Sequence, residues 1–501
     1  MSRHTYAVFA AVFTLSLCAS LSVLCVFYFT RLFVFVYLWA VLSAFVSFGD
    51  RDIPEYRLSR LAISVIFPFF SAVFFFLARR RVKAGEIELM RRRKNQAPQC
   101  RELLDLIEPQ FVGAVKCLLS DDLTSGVYKD TECEYFSDTG KMLSSMLDDI
   151  SAAVRSVYLE YYIISEGRVL SELLARLCEC ARRGVDVRII FDDLGSMLRL
   201  SHGFAKRLSS YGIGVGVFSP LGRGIGRGNN RDHRKLLTVD GAVAYVGGMN
   251  ISDEYIGKSR RFGLWRDMGV RLIGDCAYGL EESFLNVWEY CEKEGIVPSG
   301  DKKPSPTLRY RTRVERTGGD IFVPFSSAPR PFHSSQSGKR LLLNLIGAAR
   351  RFVYITTPYL IPDSQLIEAM SRAIGRGVRI VIITPGVADK RLIKIITESF
   401  YPPIICSGVE IYEYPLGFLH GKSVVCDGYA ALVGSLNLDY RSLAHNFENG
   451  VLVLGDEAVL PICKDIEELA ELSVRIGENG KAHGIIKKTV RLFSGAILPI
   501  L

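Results

Sequence analysis

Histidine is scarce in this chain, with seven in 501 residues. A pattern that uses two of them in the same way therefore carries weight. Cysteines at zinc-binding or redox spacing are missing. The twelve cysteines are scattered, and Cys178 and Cys180, separated by one residue, match neither pattern. They read as small buried hydrophobes in a reducing compartment, without disulfide or metal. No helix-turn-helix, zinc-finger or ribonucleoprotein signature accompanies the net charge of +9, so nucleic acid is not the expected partner. The glycine-rich stretch from Gly222 to Asn230 is not a dinucleotide fingerprint, because its spacing is wrong and no helix follows. No cofactor is expected.

Long apolar runs, by contrast, are plentiful at the front. Tyr6 to Thr30 carries no charge, Leu32 to Phe48 follows after Arg31, and Leu61 to Ala78 is interrupted by Pro68. Each is near the ~20 residues a helix needs to cross a bilayer. A signal peptide would account for the first run alone, and no small-residue cleavage site is evident. Two or three transmembrane helices are expected, with Tyr6 to Phe48 as a close hairpin. Arg79, Arg80, Arg81, Lys83, Arg91, Arg92, Arg93 and Lys94 follow the third run. Such clusters collect on the cytoplasmic side, which puts everything after residue 79 there. Beside a membrane the cluster suits anionic lipid as well as it suits solvent. Arg223 and Arg227 could face lipid headgroups from a loop at the rim of the motif described next.

One stretch occurs twice. His233-x-Lys235-x4-Asp240 continues to Gly247 and Asn250, and His420-x-Lys422-x4-Asp427 continues to Gly434 and Asn437 at the same offsets. With Lys and Asp each at about one position in twenty, one accidental match is expected about twice in a hundred such chains. Two copies with matching tails are rarer by far.

The rest of the chain is duplicated around these motifs. Residues 84–120 read as an amphipathic helical connector, with Leu103, Leu104, Ile107, Phe111, Val115 and Leu118 at helical spacing, leaning on the membrane or on the catalytic body. Globular α/β structure begins near residue 135. A β-rich run at 157–164, a helix from Ser171 to Arg183, Gly184 and a strand at 185–191 give the rhythm of a sheet with crossover helices. Residues 205–211 read as helix and 215–218 as a short strand. Residues 352–363 answer the first run, and 377–385 answer the second. Gly184 to Gly377 is 193 residues and His233 to His420 is 187. The same order at nearly the same separation marks an internal duplication, with a Pro-rich linker at 298–320. The basic apolar tail, 485–501, reads as a membrane-surface segment or a terminal core helix.

Alternation along a strand turns His233 and Lys235 to one face, and likewise His420 and Lys422. Two such strands meeting across a pseudo-twofold gather two imidazoles and two ammoniums in one pocket. That set suits metal-free phosphodiester chemistry. One neutral imidazole attacks phosphorus, and the other, protonated, releases the leaving alkoxide. Lys235, Lys422, Asn250 and Asn437 bind the non-bridging oxygens. A carboxylate on the second ring nitrogen would orient each imidazole. Asp267 and Glu448, 34 and 28 residues after the histidines of their own halves, are the candidates. Asp240 and Asp427 complete the motifs and are better placed to fix a strand end than to touch substrate.

The duplicated His-x-Lys-x4-Asp resembles the signature of the phospholipase D superfamily, and the context is similar to bacterial cardiolipin synthases. The segments carrying that similarity are 230–241, 247–256 and 265–267 in the first half and 417–422, 434–442 and 446–448 in the second. Residues 191–196 and 356–363 also match. Departures are Gly421, Cys426 and Leu436. The resemblance implies two pseudo-twofold-related phospholipase D-type domains, mixed β-sheets flanked by helices, behind N-terminal transmembrane helices. The expected layout is a membrane anchor at 1–80, a basic connector at 81–134, domains at 135–297 and 321–501, and a linker between them. The implied reaction joins two phosphatidylglycerol molecules into cardiolipin and glycerol through a phosphohistidine, with His233 favoured as nucleophile and His420 as acid. A membrane-bound hydrolase, another phosphatidyltransferase and a lipid-binding scaffold are the alternatives.

Overall fold

In the computed structural model the described residues are 14, 16–23, 30–46, 59, 61–65, 67–69, 71, 100–120, 126–220, 230–257, 262–293, 319–329 and 336–477. The chain divides into two compact units, one of Met1–Arg81, Leu221–Asn229 and Gly484–Leu501, the other of Val82–Pro220 and Asn230–His483.

In the first unit, helix α1 spans Thr30–Val46 and takes Arg31 into its first turn. Its 17 residues measure roughly 26 Å, short of a ~30 Å hydrocarbon core. Among the described residues, no helix is long and apolar enough to cross a membrane. The expected spans at 6–30 and 61–78 lie largely outside the described residues, as do the glycine-rich loop and the tail at 485–501.

The second unit holds the duplication. Strands β1 (Thr131–Phe136), β2 (Ser156–Tyr161), β3 (Asp186–Asp192), β4 (Gly214–Phe218), β5 (Lys235–Val239), β6 (Val243–Gly247) and β7 (Gly269–Gly274) form one sheet in the order β1-β7-β6-β5-β2-β3-β4. The second half contributes β8 (Ile321–Ser327), β9 (Phe352–Thr356), β10 (Leu360–Ile361), β11 (Arg379–Pro385), β12 (Glu410–Tyr414), β13 (Ser423–Cys426), β14 (Ala430–Gly434), β15 (Leu438–Asp439), β16 (Glu448–Leu454) and β17 (Val474–Arg475). Its main sheet runs β17-β12-β11-β9-β13-β14-β16-β8, the same succession with one added edge strand. In both, the strand before the first crossover is parallel to the next strand and antiparallel to the motif strand.

Period-two patterning sorts each strand's side chains. On β2, Val157 and Leu159 face a core with helices α2 (Thr139–Ala152) and α3 (Arg168–Arg182), whose Met146, Ile150, Leu173 and Leu177 are buried there. Tyr158 faces the other core, which also holds Val425, Val433 and Val451 of the second sheet. Two helices join that shared core, α4 (Asp275–Lys293) through Phe284 and α5 (Asp456–Glu471) through Ile462 and Ile466. The two halves thus share one hydrophobic interior, which holds them in fixed register.

The connector leans on the catalytic body. Ile107, Phe111, Val115 and Leu118 are buried, and the Phe111 ring stacks on Tyr429 of the second half at 5.6 Å. Gln110 donates to the Asp427 carboxylate. Among the cysteines, Cys406 is exposed and departs from the expected burial.

Candidate active site

The motif histidines sit just before their strands, at the ends where the sheets of the two halves meet. Pairing of Asp232 with Phe447 and of Arg266 with Leu419 ties each motif to the other half. His233 donates its backbone N–H to the Phe447 carbonyl at 2.9 Å, and His420 donates to the Arg266 carbonyl at 2.7 Å. Phe447 and Arg266 each precede a carboxylate, so the backbone exchange delivers that carboxylate to the opposite imidazole. His233 Nδ1 lies 3.0 Å from Glu448 Oε2, and His420 Nδ1 lies 2.6 Å from Asp267 Oδ2. Both candidate carboxylates reach an imidazole, and each serves the histidine of the other half.

With Nδ1 occupied, Nε2 is the ring nitrogen left for chemistry. Each lysine turns back toward its motif. Lys235 Nζ donates to the His233 carbonyl, and Lys422 Nζ donates to the His420 carbonyl and lies 3.0 Å from His420 Nε2. The four groups form one electrostatic cluster. Burial pushes His233 down to about 4 and His420 down to about 3; each feels the lysines of both halves. Burial lowers Lys235 to about 7 and Lys422 to about 8. Burial raises both carboxylates, but His420 and Lys422 outweigh it at Asp267, and His233 and Lys235 outweigh it at Glu448, so both end below the usual range. Burial thus favours neutral imidazoles, while Lys422 and Lys235 with the Nδ1 contacts keep the carboxylates ionised.

The two halves differ around this symmetric frame. Glu448 also accepts from the hydroxyls of Ser435 and Ser442 and from the Asn446 amide. Asp267 accepts from the Met268 backbone N–H. The His420 ring lies among Tyr255, Trp265 and Phe418 at 5.3, 5.6 and 5.8 Å, whereas Tyr162 lies 5.1 Å from His233. Ser442 stands five residues after Asn437, as Tyr255 stands five after Asn250, so one register position is hydroxyl in one half and aromatic in the other.

Asp240 and Asp427 lie at the far ends of their motif strands. Asp240 accepts from the backbone N–H groups of Val154, Arg155 and Ser156, and Asp427 from those of Arg350, Arg351 and Phe352. Both have positive φ, 55° and 56°. They close turns and do not face the imidazoles. Asn250 spends its side chain inside the protein, accepting from Ile163 N–H and donating to the Tyr255 hydroxyl at 2.6 Å. Asn437 is buried and hydrogen bonds to Asp439. Both amides thus have partners within the protein.

Sequence reasoning missed the supports beneath the histidines. Arg231 makes a buried pair with Asp192, which also accepts from the Asp232 backbone N–H and so fixes the strand entering His233. Ser435 could have been found between Gly434 and Asn437, but nothing local marks Ser442. A Cβ at Gly421 would displace the Met268 side chain, at 2.4 Å from Cε and 2.9 Å from Cγ, next to Asp267.

The model of a family described as cardiolipin synthase, phospholipase D-like domain, matches residues 146–264 and 342–470, one match in each half. Cardiolipin synthase 2 of Bacillus anthracis is 31% identical over 371 residues, covering 73% of this chain and 70% of that protein. The probable cardiolipin synthase YwiE of Bacillus subtilis is 29% identical over 457 residues, covering 88% of this chain and 89% of its own. Among solved structures, a phosphatidylserine synthase from Haemophilus influenzae superposes with a TM-score of 0.57 at 14% identity, covering 74% of this chain and 95% of that one. That likeness concerns the fold.

Proposed function

The chain belongs to the family of phospholipase D-like cardiolipin synthases, and from that premise we propose that it moves a phosphatidyl group from one phosphatidylglycerol to another. The products are cardiolipin and glycerol. The observation carrying this reading is the crossed pair of dyads, His233 with Glu448 and His420 with Asp267, with both lysines in the same cluster.

In the first step, neutral His233 attacks phosphorus through Nε2. The P–O bond to the headgroup glycerol breaks, and protonated His420 gives its proton to the departing alkoxide. Glycerol leaves, and a phosphatidyl group remains on His233. In the second step, neutral His420 takes the proton from a glycerol hydroxyl of another phosphatidylglycerol. That oxygen attacks phosphorus, the P–N bond breaks, and cardiolipin forms with His233 restored. Lys235 and Lys422 stabilise the charge on phosphorus-bound oxygens in both steps. Glu448 and Asp267 keep Nδ1 protonated and favour the imidazolium forms. No proton is gained or lost over the cycle.

The apolar runs before residue 80 would anchor this body to the membrane as several passes, and the basic residues from Arg79 to Lys94 favour a cytoplasmic catalytic side. Purified full-length protein with labelled phosphatidylglycerol tests the reaction. Equimolar cardiolipin and glycerol are expected. Phosphatidic acid in their place means that water is the acceptor, and no turnover overturns the proposal.

A further inference from the structure

We infer that the end of the catalytic unit bearing the two histidines is a bilayer-docking face, built from exposed leucines around the mouth of the site. The inference rests on the phosphatidyl-transfer reading and names the surface from which that site takes its substrates.

The strand register defines this end. Tyr161 pairs with Lys235 and with Phe191, so β2 and β3 finish where the first motif strand begins. Thr356 pairs with Ser423 and with Ile383, and Pro385 pairs with Tyr414, so β9, β11 and β12 finish at the second motif. Leu194 and Leu198 follow β3, Leu392 follows β11, Leu416 follows β12, and Leu264 precedes β7 on the same side. These five side chains are 40–64% exposed. Single exposed leucines are ordinary on any surface; their placement is what distinguishes these. Of the other exposed apolar residues of this unit, Leu106, Val154 and Tyr211 lie at the opposite end, and Leu460, Leu472 and Val474 lie on α5 and the segment that follows it.

Each of the five is close in the chain to a group that packs toward a motif histidine. Leu264 precedes Trp265, and Leu416 stands two before Phe418; both rings pack on His420. The two leucines are backbone neighbours, with Leu264 N–H donating to the Leu416 carbonyl at 3.2 Å. Leu194 and Leu198 flank Gly195, where a Cβ would fall 2.9 Å from the Tyr162 ring, and Tyr162 packs on His233. Leu392 follows Asp389, which accepts from the Tyr359 hydroxyl; the Tyr359 ring lies 6.3 Å from Phe418. The exposed leucines of both halves are thus tied, through their chain neighbours, to the rings beside the two histidines.

Charge selects a lipid surface as the occupant over a protein. Lys390 and Arg391 are exposed and stand immediately before Leu392. Arg199 follows Leu198, is about a third exposed and pairs with Glu254 at 3.5 Å, so among the described residues the free basic charge at this rim is carried by Lys390 and Arg391. Basic residues beside exposed leucines suit an interface in which the side-chain carbons enter the acyl boundary and the cations meet anionic headgroups. The duplication repeats the device, since the segment after the second parallel strand carries it in both halves.

The test uses the full chain in proteoliposomes of zwitterionic lipid. One arm supplies phosphatidylglycerol within the bilayer, and the other supplies monomeric dihexanoyl-phosphatidylglycerol in solution. Replacing Leu264, Leu392 and Leu416 together by Ser should lower turnover of bilayer substrate about tenfold, from the lost apolar burial, and leave monomeric turnover unchanged. An equal fall in both arms, or a fall in neither, overturns the docking face. A second measurement does not depend on activity. Tryptophan fluorescence of Leu392→Trp, against the unaltered chain, should be quenched by lipids brominated along their acyl chains. No added quenching overturns the docking face even in an active enzyme. Quenching without any turnover would retain the face and sink the phosphatidyl-transfer reading.

Discussion

His233 Nδ1 meets Glu448 Oε2 at 3.0 Å across 215 residues of chain, and the reciprocal contact joins His420 to Asp267. Neither half owns a complete dyad. The duplicated unit therefore reacts only as a packed pair, and its shared core serves the chemistry by keeping those contacts. Glu448→Gln keeps the shape of the contact but can present its amide N–H to Nδ1, which selects the wrong tautomer. Turnover should fall about 10²- to 10⁴-fold, with KM changed much less. Steady-state kinetics on the folded variant check this; a loss confined to KM would refute an orienting role.

The resting imidazoles are neutral, yet the mechanism needs one cation. A bound phosphodiester brings the negative charge that raises an imidazole from its buried value of about 4 or about 3. Binding at neutral pH should then take up a proton. Affinity for a phosphonate analogue of phosphatidylglycerol should rise as pH falls from neutrality and level off below about 4, where the imidazole is protonated before the analogue binds. Calorimetry in buffers of different ionisation heat measures the uptake. Folding stability should run the opposite way. Both histidines are lowered in the folded state, so their contribution to stability is full above about 6.5, the ordinary histidine value, and is lost as pH falls from there toward about 4 for His233 and about 3 for His420. An affinity independent of pH would count against proton uptake.

Asp240 and Asp427 complete the repeated motif at the strand end away from the imidazoles, and we propose that they hold the fold and do not take part in the reaction. Each carboxylate accepts three backbone N–H groups at a turn with positive φ. Asp240→Ala removes those bonds and leaves a residue poorly suited to that backbone. The cost should be about 2–4 kcal/mol of stability, with turnover per folded molecule largely kept. Thermal melting beside active-site titration separates the two; lost turnover at unchanged stability would move Asp240 into the reaction.

The clustering of the motif residues was legible because strand geometry is local. His233 and Lys235, two apart, share a face wherever the strand is placed, and the second copy repeats the pattern. Helix and strand positions in the first half came within a few residues, as with Arg168–Arg182 against an expected start at Ser171. What stayed hidden depends on packing between halves. Asp267 and Glu448 were visible as carboxylates, but which histidine each serves follows from Phe447 and Arg266 crossing between halves. Ser442 carries no local mark, because its role arises only where Glu448 folds back onto it. The connector showed its apolar stripe, while its partner, Tyr429, lies more than 300 residues further on. A side-chain amide such as that of Asn250 can serve either substrate or protein, and only the fold discloses Ile163 and Tyr255 as its protein partners.

The unequal supports of the two carboxylates bear on which histidine attacks. Glu448 shares its charge with Ser435, Ser442 and Asn446 as well as His233. Asp267 holds His420 at 2.6 Å and shares with the Met268 backbone N–H. Burial and Lys422 beside the ring hold His420 lower than His233, about 3 against about 4. A bound phosphodiester offsets the lysine charge and leaves the less diluted carboxylate in place, which favours His420 as the acid and His233 as the nucleophile. Phosphatidylglycerol labelled at phosphorus should therefore leave an acid-labile label on the protein in His420→Asn, where release is impaired. In His233→Asn no label should be retained. The same label appearing in His233→Asn and absent from His420→Asn would reverse the assignment, and its absence from both would argue for direct transfer between the two lipids.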